Sequence, residues 1–195
     1  MKKPLLSICI PTYNRAEYLA KSVESVISQN EFLNGEVEII ISDNASTDDT
    51  EKVGRAYAAQ YSNIQYHRNE INIRDCNFPL ALSRGNGMYR RLCNDTLIFK
   101  KNSLQSCCRL IENNQKEKPF LVWANRCVEG KTEQIKTDFS GYVHKLSYWL
   151  TSIACFGLWE EDCQGIEADT AGAELSLWQV RKELEVASRK DNVLI

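Results

Sequence analysis

The sequence is short of the residues that most often announce a function. It has two histidines in 195 residues, and its eight cysteines contain no C-x-x-C pair. A structural zinc site needs several closely spaced thiolate or imidazole ligands, so none is expected. No G-x-G-x-x-G follows the first apolar strand, and no G-x-x-x-x-G-K-[ST] occurs anywhere. These absences disfavour a nicotinamide-dinucleotide site and a phosphate-binding P-loop. Gly85 and Gly87 form a G-x-G that precedes a strand rather than opening a helix, so it reads as a turn. No run reaches the ~18 apolar residues of a membrane span. The stretch between Pro4 and Pro11 is too short for a signal-peptide core. A cytoplasmic location is expected, with free buried thiols; peripheral contact at the inner face of the plasma membrane stays open. The formal net charge of −2 gives no general reason to bind nucleic acid. Arg90, Arg91, Lys100 and Lys101 read as a solvated face rather than a basic site.

What is present is an alternating α/β chain of one domain's length. Leu5 to Ile10 is an apolar run that ends in Pro11-Thr12-Tyr13-Asn14. Val37 to Ile41 is a second run, ending in Ser42-Asp43-Asn44-Ala45-Ser46. Leu19, Val23, Val26 and Ile27 recur at helical spacing between them, after a start signal in which Asn14 caps and Glu17 follows three residues on. Strand, helix, strand over this length is a parallel crossover, so both strands point one way. Their carboxyl ends then open on one edge, where open parallel sheets bind ligands. Thr12, Asn14, Asp43 and Asn44 are brought together by topology. A third strand, 88–93, ends in Asn94-Asp95-Thr96 and adds Asp95 to that edge. Two carboxylates there suit two tasks: accepting hydrogen bonds from a base or ribose, and holding Mg²⁺ or Mn²⁺ together with substrate phosphates.

Further helices are expected from Ser46–Thr50 onward, over 77–83 with Pro79 in the first turn, over 103–114, and over about 171–190. Strands are expected at 64–67 and 120–125. The stretch 127–165 reads as short strands and loops with a helical turn near 143–150. Each acidic cluster taken singly also fits an Asx turn; their convergence favours a site. His67 and His144 read as local hydrogen-bonding groups. Trp149, Trp159 and Trp178 read as core before sugar platforms.

The two strand-end segments, Leu6 to Arg15 and Glu38 to Asp48, resemble the nucleotide-binding half of family 2 glycosyltransferases, over residues 5–99. The resemblance implies a single GT-A-like domain with a Rossmann-like, mostly parallel central sheet flanked by helices. About 1–99 would hold the donor and about 100–195, shortened, the acceptor. It implies that Pro11, Thr12, Tyr13 and Asn14 line the nucleoside pocket and that Asp43 bonds the base, with Asn44 and Ser46 nearby. Asn69 and Asn77 match polar positions before the metal motif. The family's Asp-x-Asp is here Cys93-Asn94-Asp95, leaving Asp95 as the metal ligand and Asn94 beside the nucleotide. Some bacterial members also read Asn-Asp-Thr at this point. The implied reaction moves a sugar with inversion from a nucleotide sugar, a UDP-sugar first, to a saccharide or lipid-linked acceptor of surface-polysaccharide synthesis. The catalytic base would come from the C-terminal half. Arg181 stands where related chains carry an acid, so the candidates are Asp162, Glu167, Asp169 and Glu174. A catalytically weak binding homologue is the alternative, and a nucleotidyltransferase ranks third.

Overall fold

In the computed structural model residues 3–123 and 135–195 are described; Ala124, Asn125 and Cys127 lie outside them. In chain order the elements are β1 (Leu6–Thr12), α1 (Ala16–Ile27), α2 (Asn30–Leu33), β2 (Val37–Asp43), α3 (Thr50–Gln60), β3 (Ile64–Arg68), α4 (Asn77–Ser83), β4 (Tyr89–Leu92) and α5 (Ser103–Asn113). They continue with β5 (Phe120–Leu121), β6 (Lys136–Thr137), α6 (Phe139–Leu146), β7 (Gly157–Trp159), α7 (Trp178–Ala187) and β8 (Val193–Leu194).

The central sheet has the order β3-β2-β1-β4-β7. Its first four strands are parallel, and β7 joins β4 antiparallel. A small second sheet pairs β5 with β8 and β8 with β6. Every residue of β1 and β2 is buried, as a parallel sheet covered on both faces requires. The two-residue alternation sorts their side chains into two cores. Leu6, Ile8, Ile10, Ile39 and Ile41 pack with Leu19, Val23 and Val26 of α1. Cys9, Ile40 and Leu92 pack with Ala81 and Leu82 of α4 on the other face. Cys9, Cys93, Cys107, Cys108 and Cys163 are free and buried, and Cys155 is buried as well. Burial pushes the thiols of Cys93 to about 11 and Cys163 to about 12, so they serve as small apolar groups.

The first helix does not start as its sequence suggests. Asn14 stands outside α1 at φ 53, and the N-cap, Arg15, has no side-chain cap bond. The Asn14 Oδ1 atom accepts from Thr47 N at 2.7 Å instead. Asp48, from the next crossover, takes over the capping by accepting from Ala16 N at 3.2 Å. Helix α3 begins at Thr50, later than Ser46, because Asp43, Asn14 and Arg15 occupy the groups before it. The expected turn near 143–150 is a full helix from Phe139, started by Asp138, whose Oδ1 accepts from Gly141 N at 2.7 Å.

Arg91 is not on a solvated face. It is 3% exposed, with its guanidinium over the rings of Trp123 and Phe99 at 4.7 and 5.5 Å. Gly87 closes the turn before β4 at the sheet edge where β1 begins. Its N donates to Ser7 Oγ at 2.7 Å, and a Cβ there would lie 2.6 Å from Ser7 N. Trp159 and Trp178 are core residues whose indoles donate to the carbonyls of Pro119 and Asp169. Trp149 is partly open against Tyr148. No helix among the described residues is long and apolar enough to cross a membrane.

Candidate active site

The register sets the site. Thr12 and Asp43 are paired neighbours at the ends of β1 and β2, and Asp43 pairs with Arg68 at the end of β3. Cys93 continues β4 by donating its N–H to Cys9 O at 2.8 Å. The chain then delivers Asp95 to β1, where Thr12 Oγ1 donates to Asp95 Oδ2 at 2.9 Å. A pocket of about 330 Å³ opens on this edge, within the small-molecule range. Pro11, Thr12, Tyr13, Arg15, Asn44, Asn72, Arg74, Asp75, Asn77, Phe78 and Asp95 line it.

Asp95 is 7% exposed, and Arg15 Nη1 lies 4.0 Å from its Oδ1. Burial pushes its carboxyl above the usual range, while the Thr12 bond and Arg15 pull it back. The Asn94 Oδ1 atom beside it is buried without a hydrogen-bond partner among the described residues. Cys93 is a buried thiol and offers nothing to a hard cation. No group of three His, Cys, Asp or Glu among the described residues could hold a metal by itself. One pocket-lining carboxylate with an unsatisfied amide oxygen next to it fits a Mg²⁺ or Mn²⁺ shared with substrate phosphates, and not a closed protein cage.

Asp43 is placed differently from the expected base contact. It is fully buried, and the pocket is not lined by it. Its Oδ1 accepts from Ser46 N at 2.9 Å and its Oδ2 from the Tyr66 hydroxyl at 2.6 Å. Burial and Asp43 itself push the Tyr66 phenol up, so it stays a donor. Asp43 thus pins the loop that follows β2. Ser46 in turn accepts from Asn14 N at 2.9 Å, which ties the two strand-end loops together. Asn44 is spent in the same way: its amide donates to Asn72 Oδ1 and accepts from Asn69 and Ile73 N. Asn77 and Asn69 join Ser42 and Arg84 in a buried network beneath. Asp43→Ala is expected to cost on the order of 3 kcal/mol, since it strands a buried phenol and loop amide. Urea unfolding measures this; a change below ~1 kcal/mol would mean that Asp43 does not hold the loop.

The base candidates scatter. Asp162 lies at the opposite edge of the sheet, where Glu160 N meets Met88 O and Lys3 pairs with Glu160. Asp162 is itself paired with Lys190 at 2.7 Å. Asp169 is bound by Arg181 and by Lys182 at 3.1 Å, and these partners hold its carboxyl below the usual range. Glu167 is exposed on a turn that packs against α4. Glu174 is exposed on the turn Ala173–Leu175, which packs against the pocket-lining turn Arg74–Cys76. Arg15, Asn72, Arg74, Asp75 and Phe78 line the pocket without having been marked by sequence reasoning. The available signal was topological: the polar loop after β3 leaves the carboxyl end of a parallel strand, as the other two clusters do.

The model of the glycosyl transferase family 2 matches residues 7–155. The chain belongs to that family. Over 102 residues it is 43% identical to the abequosyltransferase RfbV of Salmonella typhimurium, covering 51% of this chain and 30% of that protein. Over 144 residues it is 30% identical to the uncharacterized glycosyltransferase MG025 of Mycoplasma genitalium, covering 70% and 45%. S. aureus TarS 1-349, solved in complex with UDP-GlcNAc, superposes with a TM-score of 0.68 at 17% identity, covering 96% of this chain and 55% of that one. The mannosyltransferase PcManGT of Pyrobaculum calidifontis, solved with GDP-Man and Mn²⁺, gives 0.61 at 13% identity, covering 85% and 47%. These two solved structures share its GT-A fold. The chain spans less than half the length of the two curated relatives.

Proposed function

We propose that this family 2 chain binds a nucleotide sugar, a UDP-sugar first, and transfers the sugar with inversion to a saccharide or lipid-linked acceptor of cell-surface polysaccharide. The observation that carries the reading is the Thr12–Asp95 bond, which draws the ends of β1 and β4 into one pocket beside Arg15. Residues 1–99 would hold the donor and 100–195 the acceptor, within one domain. Pro11, Thr12 and Tyr13 would line the nucleoside's side of the pocket. Asp95, with the Asn94 amide next to it, would hold a Mg²⁺ or Mn²⁺. Such a cation supplies charge neutralisation to the leaving group. Arg15 and Arg74, which also line the pocket, add fixed positive charge for the same phosphates. The reaction would take place in the cytoplasm, with any membrane contact made through the acceptor.

Glu174 is our choice of base, because its turn packs beside the pocket-lining turn while Asp162 and Asp169 are tied into ion pairs. The acceptor oxygen attacks the anomeric carbon, its proton passes to Glu174, and the bond to the diphosphate oxygen breaks on the opposite face. Glu174→Gln is expected to lower turnover about 100-fold and leave donor affinity unchanged. Product formation and donor titration on one preparation measure both; full activity in the variant would move the base elsewhere. The second reading, a binding-only homologue, is favoured by Cys93 in place of an acid. Thermal stabilisation by UDP-, GDP-, CMP- and dTDP-sugars with and without Mn²⁺, followed by a sugar-release assay, separates the two: stabilisation without release supports the second.

A further inference from the structure

Between Leu92, where β4 ends, and Ser103, where α5 begins, the chain forms no helix or strand. This stretch carries Asn94 and Asp95. Its backbone N–H and C=O groups have no ladder to join, so they need other partners. Helix α1 supplies them from one face.

Ser22 Oγ donates to Leu97 O at 2.8 Å. Ser25 Oγ accepts from Phe99 N at 3.0 Å. Just past the helix, Gln29 Oε1 accepts from Leu104 N, in the first turn of α5, at 3.2 Å. Positions 22, 25 and 29 are spaced by three and four residues, which places them in one row. Ser22 is wholly buried and Gln29 nearly so. A buried helix face is ordinarily apolar, as Leu19, Val23 and Val26 are beside this row. The row is braced within itself. Ser25 Oγ donates to Ser22 O at 2.7 Å, and Gln29 Nε2 donates to Ser25 O at 2.8 Å.

The turn that carries the acid ends where this row begins. Leu97 N donates to Asn94 O at 3.0 Å and closes Asn94, Asp95, Thr96 and Leu97 into one turn. At its entry, Cys93 N is held by Cys9 O of β1. At its exit, Leu97 O is held by Ser22 of α1. Asp95 lies between these anchors, with Thr12 on its carboxylate. A metal ligand works only when held to within about 0.5 Å of its place.

We propose that Ser22 and Ser25 are positioning residues for the cation: they hold the exit of the Asp95 turn on α1, and so fix where Asp95 and Asn94 stand relative to Thr12. The proposal rests on the nucleotide-sugar reading given above. Neither serine lines the pocket, so both act through the turn. Serine is a poorer helix former than alanine, and a mid-helix hydroxyl commonly turns back on its own helix. Ser22 instead spends its hydroxyl on Leu97. Ser22→Ala therefore trades a hydrogen bond for a better helix: stability stays close to wild type while the turn loses its anchor.

The test follows thermal unfolding of the full chain with UDP, GDP, CDP and dTDP as Mn²⁺ is titrated. It continues with whichever nucleotide shows the largest manganese-dependent shift. Ser22→Ala is expected to need roughly 10-fold more Mn²⁺ for half of that shift, the effect of losing a partner that orients a metal ligand. Ser25→Ala is expected to act the same way. Melting without ligand, and the shift given by nucleotide without Mn²⁺, are expected to stay close to wild type. Ser28→Ala is the control, since that exposed hydroxyl reaches only Ser25 O. Amide hydrogen exchange of the metal-free chain gives a second readout: the Leu97 N–H is expected to exchange several-fold faster in Ser22→Ala. An unchanged manganese requirement in Ser22→Ala overturns the proposal, as does unchanged Leu97 exchange. An equal rise in Ser28→Ala assigns the effect to the helix and overturns it too. So does a loss of nucleotide binding that appears without Mn²⁺. A wild type that no nucleotide stabilises, with or without Mn²⁺, overturns the glycosyltransferase reading, and the proposal with it.

Discussion

Asp95→Ala is expected to lower sugar transfer about a thousandfold and to abolish the extra thermal stabilisation that Mn²⁺ gives a bound nucleotide. The chain offers one carboxylate, Asp95, where its family commonly has two acids, because Cys93 is a buried thiol. No second carboxylate follows β4 to take over. Charge neutralisation of a departing diphosphate contributes several kcal/mol, and each ~1.4 kcal/mol is tenfold in rate. The fold should survive the change. Asp95 lies at the pocket, and its carboxylate accepts from Thr12, whose hydroxyl can turn to water. Transfer kinetics and thermal stabilisation, each with and without Mn²⁺, measure the two effects. If the metal-dependent stabilisation persists in Asp95→Ala, the cation is held elsewhere.

The other large effect lies in the C-terminal half and concerns stability. Glu183 on α7 is fully buried; its Oε2 accepts from the Tyr142 hydroxyl of α6 at 3.0 Å, and its Oε1 has no partner among the described residues. Burial pushes its carboxyl up to about 8, with the Tyr142 bond acting weakly the other way. The sign follows from proton binding. Below about 4.5 the group is protonated in folded and unfolded chains alike, and it contributes no pH dependence. Between about 4.5 and about 8 the unfolded chain gives up the proton first, so stability falls as pH rises. Above about 8 the loss is complete, on the order of 5 kcal/mol. Glu183→Gln has the shape of the protonated acid and still accepts from Tyr142. Chemical unfolding from pH 5 to pH 9 should show wild type and variant nearly equal at the acid end and far apart at the alkaline end. Parallel curves across that range would mean that Glu183 is already ionised in the fold.

Both halves of that picture were unequally legible in the sequence. The strands that build the pocket were readable because a doubly covered parallel sheet writes itself as apolar runs, and Leu6 to Ile10 and Val37 to Ile41 are such runs. The chemistry at their ends was readable because topology alone gathers Thr12, Asn14, Asp43 and Asp95 on one edge. What each side chain does there was not. Asp43 turns inward because Tyr66, from a strand further along, reaches its carboxylate. Asn14 looked like a cap and became a tie to Thr47, while Asp48 capped α1 from another loop. Arg91 looked solvated and is held between aromatic rings. In each case a long-range partner decides the role, and local spacing carries no trace of it. Asp75 was hidden for a different reason: it sits in a polar loop with no periodicity, where an acid is ordinary. Residues 147–175 run mostly through short 3₁₀ turns around the small strand β7, so neither helical nor strand periodicity could mark Glu174.

The most direct test of the donor site is a crystal structure of the chain with Mn²⁺ and the nucleotide that stabilises it best, read through the anomalous signal of the metal. The expected result is a manganese peak within coordination distance of Asp95, with the diphosphate beside Arg15 and the nucleoside against Pro11, Thr12 and Tyr13. A nucleotide bound in another cavity, or a manganese peak away from Asp95, would contradict the proposed site.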